Sequence, residues 1–360
     1  MQNSIFITAF DTPLIQHGGF KRSSQLREQF GMLGCKIIHI GTPRACLRRL
    51  LRTNFFVFFK NLFKWLPLSF KYNLNYKGFV CLVIAASYVD TLLQKNKVGI
   101  VFLDSPFGLN MFFGEILKHY KIEYVCFPHN VEFLVPGQNI IYFKNFIGAM
   151  KWELNLYKSA KHVFSISKFD CAILECFSIS ASVFEYYPES SECVLLNSIS
   201  TKRKLSKNNF FLLIGTASNP PTLLGMNRFF DMLAISDLQI KIVVAGYGTE
   251  IFKNINDKRI IVKGAVSNSE LFNLYENATG VIITPVQTSG FLTKIVELNL
   301  CEIPIFCVSK YIQAENLEKF GIICLESING IIQYVDDEFF GNTKKFEKPD
   351  LGLLLTSKIF

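Results

Sequence analysis

Residues Gly264 to Pro304 read GAVSNSELFNLYENATGVIITPVQTSGFLTKIVELNLCEIP. The stretch opens on a glycine just after the short apolar run Ile260 to Val262. A second apolar run, Gly280 to Thr284, is closed by Pro285, and a third spans Ile303 to Val308. Helices fit between the runs, and Ser289-Gly290-Phe291-Leu292 opens one of them, Lys294 to Leu300. Apolar strand, glycine, helix and strand in that order is the signature of βαβ units and a parallel sheet.

The same grammar extends outward. Lys241 to Ala245 reads as a strand ending at Gly246-Tyr247-Gly248, and Phe210 to Ile214 as one ending at Gly215. Near the start, Ser4 to Phe10 is a buried strand followed by a polar turn and His17-Gly18-Gly19. Phe20 to Leu33 has helical spacing, Gly34 stops it, and Lys36 to Ile40 resumes as strand. Val98 to Leu103 ends at Asp104-Ser105-Pro106, and Glu123 to Phe127 ends at Pro128-His129-Asn130. Val163 to Ile166 is a further strand, and Val194 to Leu196 closes this half. Residues 198–209 turn polar and basic, which suits a linker. The expected architecture is therefore α/β, two Rossmann-like doubly wound domains over 1–197 and 210–340, with 341–360 crossing back to the first. Ligands bind such sheets at the carboxyl ends of strands, so a cleft between the halves is expected.

Composition narrows the classes. Of 360 residues, 50% are hydrophobic and 19% charged, which excludes a disordered chain. The longest apolar stretches, such as Gly78 to Val89, are cut by charge too early for a spanning helix. The N-terminus lacks a basic region, and Asp11 interrupts its first apolar stretch, so no secretory signal is read there. The ten cysteines form no C-x-x-C pair or Cys/His metal spacing and read as buried thiols. There is no Asp-x-Asp, and Asp336-Asp337-Glu338 reads as a solvated acidic patch. No metal and no cofactor are expected.

The formal charge is +9 and is local. The 61 residues between Glu28 and Asp90 hold nine Lys and Arg and no acid, and outside them 29 basic residues balance 29 acidic ones. On a helical wheel over 44–66, Leu47, Leu50, Leu51, Phe55, Phe58, Leu62 and Trp65 share one arc. Arg48, Arg49, Arg52, Lys60 and Lys64 oppose them, with Phe56, Phe59 and Phe63 interleaved. Cations mixed with aromatics suit an anionic membrane surface, and Arg48, Arg49, Arg52, Lys60, Lys64 and Trp65 are the expected contacts. An ordinary helix with a charged outer face gives the same pattern. No nucleic-acid motif accompanies it, so no nucleic-acid partner is expected.

Taken in order, these residues resemble the GT-B glycosyltransferases of the retaining family 4 or group 1 type. Gly290, Lys294, Glu297 and Pro304 match that family's glycine turn, Lys-x-x-Glu helix and following strand. Gly215-x-x-x-Asn219-Pro220, Gly225 and Phe229 resemble its opening C-domain strand and helix, and His129-Asn130-Val131-Glu132 its N-domain histidine loop. The resemblance spans nearly all of residues 4–310. It implies sugar transfer from a nucleotide-diphosphate donor to a glycan or lipid-linked acceptor in polysaccharide, lipopolysaccharide or glycolipid assembly. It also implies a cytoplasmic enzyme, peripheral on the inner face of the plasma membrane. His129 and Glu297 are the implied catalytic residues. Gly18, Gly19, Gly215, Gly246, Gly264, Ser289, Gly290, Phe291, Leu292 and Lys294 are the implied donor contacts. The chain departs at Ser289, where the family usually carries a glutamate that touches the donor sugar. A catalytically inactive transferase-like scaffold and a soluble transferase with a small acceptor fit the same residues.

Overall fold

The computed structural model describes residues 4–8, 18–106, 108–135, 141–203, 210–286, 289–308, 319–334 and 346–360. The chain divides into two compact units. The first comprises Met1–Tyr187, Ser289–Phe291 and Pro349–Phe360; the second comprises Pro188–Thr288 and Leu292–Lys348.

The first unit is built on six parallel strands: β1 (Ser4–Thr8), β2 (Lys36–His39), β3 (Ile100–Asp104), β4 (Glu123–Phe127), β5 (His162–Ser165) and β6 (Ala181–Val183). Their spatial order is β2-β1-β3-β4-β5-β6, so the chain reverses its direction of travel between β1 and β3. Helices α1 (Gly18–Met32), α2 (Pro43–Thr53), α3 (Phe55–Lys71), α4 (Tyr76–Lys95), α5 (Asn110–His119), α6 (Phe146–Ser159) and α7 (Lys168–Cys176) accompany them. Several starts are written locally. Asn75, Asn145 and Ser167 each cap a helix by accepting from the backbone three residues on, and Pro43 occupies the first turn of α2.

Both faces of this sheet are covered, which is why its strands read as continuous apolar runs. Phe6 stacks on Phe30 at 4.6 Å and Phe127 on Phe164 at 5.1 Å on one face, while Ile5, Ile7, Val101 and Leu103 join the other. Leu351, Leu355 and Ile359 of the C-terminal helix Leu351–Lys358 belong to the phenylalanine layer. Helix α4 runs on through Asp90 to Lys95, and its 20 residues make it long and apolar enough to span a bilayer by length and composition. Its apolar residues, from Cys81 to Val89, are instead the centre of the opposite core layer.

The second unit repeats the plan with β7 (Phe210–Ile214), β8 (Lys241–Ala245), β9 (Ile260–Gly264), β10 (Gly280–Ile283), β11 (Ile305–Cys307) and β12 (Ile323–Cys324), in the order β12-β11-β10-β7-β8-β9, all parallel. Its reversal lies between β7 and β10. Helices α8 (Ser190–Arg203), α9 (Pro220–Ala234), α10 (Asn268–Asn277) and α11 (Lys294–Leu300) surround it, and Ser267 and Glu270 form a reciprocal capping box on α10.

Three boundaries differ from the sequence reading. Val194 to Leu196 is not a closing strand, and residues 198–203 are not linker: both lie in α8. That helix belongs to the second unit, where Arg203 donates at 2.7 Å to the carbonyls of Tyr275 and Ala278. Residues 204–209 lie outside the described residues, as do Asp336, Asp337 and Glu338. At the other end, the segment grouped with the first unit starts at Pro349 rather than 341. The single helix drawn over 44–66 is two, α2 and α3. The break is at Asn54, whose amide reaches Thr91 Oγ1 at 3.2 Å.

Candidate active site

In the first unit the reversal between β1 and β3 sets two strand ends, Thr8 and Asp104, side by side. Asp104 is fully buried, and three side chains converge on its carboxylate. Thr8 Oγ1 and Ser23 Oγ donate to Oδ2, each at 2.6 Å, and His129 Nε2 lies 2.8 Å from Oδ1. His129 itself is buried just past the end of β4. Arg22 on α1 is also fully buried. Its guanidinium donates to the carbonyls of Phe184 and Glu185 and stacks on Phe184 at 4.7 Å. Burial lowers its affinity for its proton, to about 9, although the charge of Asp104 opposes that effect. Asp104, Thr8, Ser23 and Arg22 were not among the expected site residues. Asp104 carried a signal only as the polar residue that ends a strand.

The loop carrying His129 is held from two sides within this unit. Val131 N–H donates to Ser289 Oγ at 2.5 Å, and Ser289 donates in turn to Asp170 Oδ1 at 2.7 Å. Gly290 N–H also donates to the Asp170 carboxylate, at 3.1 Å to Oδ2. Asp170, in the first turn of α7, is buried, which raises its carboxyl, while the bonds from Ser289 and Gly290 oppose the rise. Gly290 has φ +93°, a conformation that favours glycine, and a Cβ there would stand 2.0 Å from Asn130 Oδ1, so that side chain would have to shift. On the other side, Glu153 of α6 accepts from the N–H groups of Glu132 and Phe133 at 2.8 and 3.1 Å, and from Tyr157 Oη at 3.0 Å. Burial pushes Glu153 up to about 8 and Glu132 up to about 7, and the charge of Glu132 adds to the rise at Glu153.

In the second unit the reversal falls at the ends of β7 and β10. There Lys294, the first residue of α11, extends its Nζ to the carbonyl of Ile214 at 2.9 Å. Gly215, Gly246 and Gly264 meet at the adjoining strand ends. Gly215 N–H donates to Ala245 O at 3.1 Å, and Gly246 N–H to Gly264 O at 2.8 Å. Gly246 has φ +131°, and a Cβ there would stand 2.0 Å from the carbonyl oxygen of Gly215. Gly246 is thus required by backbone packed on backbone, whereas a Cβ on Gly215 would meet the side chains of Thr222 and Met226, and one on Gly264 that of Glu250. Glu297 lies one turn after Lys294 and is buried.

Other expected residues fall elsewhere. Gly18 and Gly19 are the first residues of α1 rather than part of a loop, and His17 lies outside the described residues. Phe291 belongs to the first unit, whereas Leu292 belongs to the second and is exposed. Ser289 and Gly290 precede α11, which spans Lys294–Leu300 as expected, and both are bonded to Asp170.

The basic segment changes most. Trp65, expected at a membrane surface, is only 6% exposed and donates from Nε1 to Asn61 at 3.0 Å. It belongs to the core face of α3 because α4 and α5 cover that side. Lys64 is half-buried, 2.9 Å from Tyr120 Oη. Arg48, Arg49, Arg52 and Lys60 are exposed. Helix α3 also carries an exposed apolar stripe at helical spacing: Phe56, Phe59, Phe63, Leu66 and Phe70, with Phe56 87%, Phe63 78% and Phe70 69% exposed.

No protein-family profile and no curated protein matches the chain. Solved structures do match in fold. Sucrose-phosphate synthase from Thermosynechococcus elongatus aligns with a TM-score of 0.63 at 11% identity over 94% of this chain and 91% of that one. Anabaena Alr3699/HepE in complex with UDP aligns at 0.61, with 13% identity over 99% and 95%. A glycosyltransferase from Rickettsia africae aligns at 0.57, with 15% identity over 92% and 87%. The chain therefore has the two-domain α/β fold of GT-B glycosyltransferases.

Proposed function

We propose that this GT-B chain is a retaining glycosyltransferase of the family 4 type, moving a sugar from a nucleotide-diphosphate donor to a lipid-linked or glycan acceptor. One observation carries the reading: in each sheet the chemically expected side chain stands at the strand reversal, where doubly wound sheets bind ligands. His129, just past β4, reaches Asp104 at the reversal of the first sheet. Lys294 is at the reversal of the second. The shared fold of HepE, solved with UDP, supports a nucleotide donor.

In this reading Lys294 meets the donor diphosphate as a point charge and Glu297 accepts from the ribose hydroxyls. His129 stabilises the charge that develops as the glycosidic bond breaks. The reaction needs no metal or cofactor in this reading, because fixed cations and dipoles take that load. The exposed aromatic stripe on α3, together with the exposed Arg48, Arg49, Arg52 and Lys60, is read as the contact with an anionic membrane. A soluble surface rarely leaves a contiguous apolar patch open, and cations beside it match anionic headgroups. The enzyme then works as a peripheral protein on the inner face of the plasma membrane, in polysaccharide, lipopolysaccharide or glycolipid assembly.

A panel of UDP-, GDP-, ADP-, CMP- and dTDP-sugars, scored by thermal shift and donor hydrolysis, tests the proposal. One donor family is expected to stabilise the protein and turn over, and His129→Ala and Glu297→Ala to lower turnover about 100-fold or more with the fold intact. Neither shift nor hydrolysis with any donor would refute the transferase reading. That result would favour a non-catalytic scaffold, which the engagement of Ser289 and Gly290 by Asp170 also suits.

A further inference from the structure

We infer that Asp104 is a positioning residue for His129: it fixes the imidazole with its proton on Nε2, so that Nδ1 is the acceptor atom of the neutral ring. The inference deepens the transferase reading, but its geometry stands without it. Both hydroxyl donors to Asp104, from Thr8 and Ser23, sit on Oδ2, which leaves Oδ1 to the ring at 2.8 Å. An ionised carboxylate has only acceptors, so the imidazole must supply the hydrogen in that bond. The opposite tautomer would set a nitrogen lone pair against a carboxylate oxygen. The site is fully buried on the Asp104 side, where an unmade bond is costly.

Arg22, itself fully buried, interacts electrostatically with this carboxylate, and the Thr8 and Ser23 hydroxyls donate to it at hydrogen-bond distance. Three elements thus set one ring: β1 through Thr8, α1 through Ser23 and Arg22, and β3 through Asp104. The partners are 25 residues apart in sequence. The arrangement has a functional consequence. With its hydrogen on Nε2 the neutral ring keeps Nδ1 as its acceptor atom, and the bond to Asp104 holds one ring orientation throughout. The residue does not touch substrate in this scheme; it acts through His129.

The test is ¹⁵N NMR of the full-length protein labelled at histidine, with His129 assigned by its loss in a His129→Gln variant. The expected neutral-state spectrum has a pyrrole-type Nε2 and a pyridine-type Nδ1. A pyrrole-type Nδ1 overturns the inference, and this arm needs no mutation at Asp104. Asp104→Asn keeps the shape and offers an amide donor to Nε2. It is expected to move the proton to Nδ1 and to lower kcat on the order of 100-fold, with donor KM changed less than about threefold. Unchanged tautomer and kcat in a folded Asp104→Asn protein also overturns it. The NMR arm uses no sugar, so a protein with the expected ring and no turnover refutes the transferase reading alone.

Discussion

Replacing Phe56, Phe63 and Phe70 with serine tests the membrane surface most directly. The three rings are 87, 78 and 69% exposed. Taking roughly 200 Å² per aromatic side chain, they offer about 470 Å² of apolar area to a bilayer. If half of that area sinks below the headgroups, the transfer is worth about 6 kcal/mol at ~25 cal/mol/Å², or roughly 10⁴-fold in the partition coefficient. The fold contributes little to this number, because rings already in water lose no packing when removed; the melting temperature of the variant should match wild type. Sedimentation with vesicles of mixed zwitterionic and anionic lipid reads the effect. The triple variant should lose most binding at both low and high salt. Arg48, Arg49 and Arg52 changed to serine should lose about 3 kcal/mol at low salt and less at high salt, since each cation near the surface is worth about 1 kcal/mol and is screened. Wild-type binding by the aromatic variant at both salts would refute the reasoning and move any lipid contact off α3.

Three other outcomes are expected. Gly246→Ala should destabilise the second unit by about 3 kcal/mol, from positive φ and a Cβ 2.0 Å from Gly215 O, and a denaturant midpoint equal to wild type counts against that packing. Glu132 and Glu153 titrate near 7 and 8 in the fold, above their ordinary 4.5, so the folded state retains protons that the unfolded chain releases. Their contribution to stability is therefore greatest below about pH 4.5, falls as pH rises, and is gone once pH has passed through 7 to 8; Glu153→Gln should flatten the fall in melting temperature between about pH 4.5 and 8, and an unchanged slope assigns it to other groups. Gly290→Ala should lower donor turnover because its Cβ collides with Asn130 beside His129, and full activity would show that this loop is free to move aside.

The strands were legible because parallel strands buried on both faces are unbroken apolar runs, and Phe210 to Ile214 or Ile100 to Asp104 can hardly be anything else. His129 and Lys294 were legible as polar residues at the ends of such runs. What the sequence hid was mostly contact at a distance. Asp104 looks like a strand terminus, and nothing local says that Thr8, Ser23 and His129 close on it. Trp65 misled because a wheel sorts side chains by angle without saying which arc is covered; α4 and α5 cover the one that contains it. Val194 and Leu195 looked like the end of a strand, yet they are exposed residues of α8. The edge strands β6 and β12 escaped notice because Ala181–Val183 and Ile323–Cys324 are too short to make an apolar run.

The make-up of the first unit has a consequence for biosynthesis. Its phenylalanine layer is completed by Leu351, Leu355 and Ile359, and its Asp170 carboxylate by Ser289 and Gly290. On a ribosome the residues up to Tyr187 emerge before the second unit, with that layer short of three side chains and that carboxylate short of its Ser289 and Gly290 donors until the second unit has also been made. The first unit therefore completes its packing only after the second has been translated. A holding chaperone, or early folding of the second unit, would matter most during that interval.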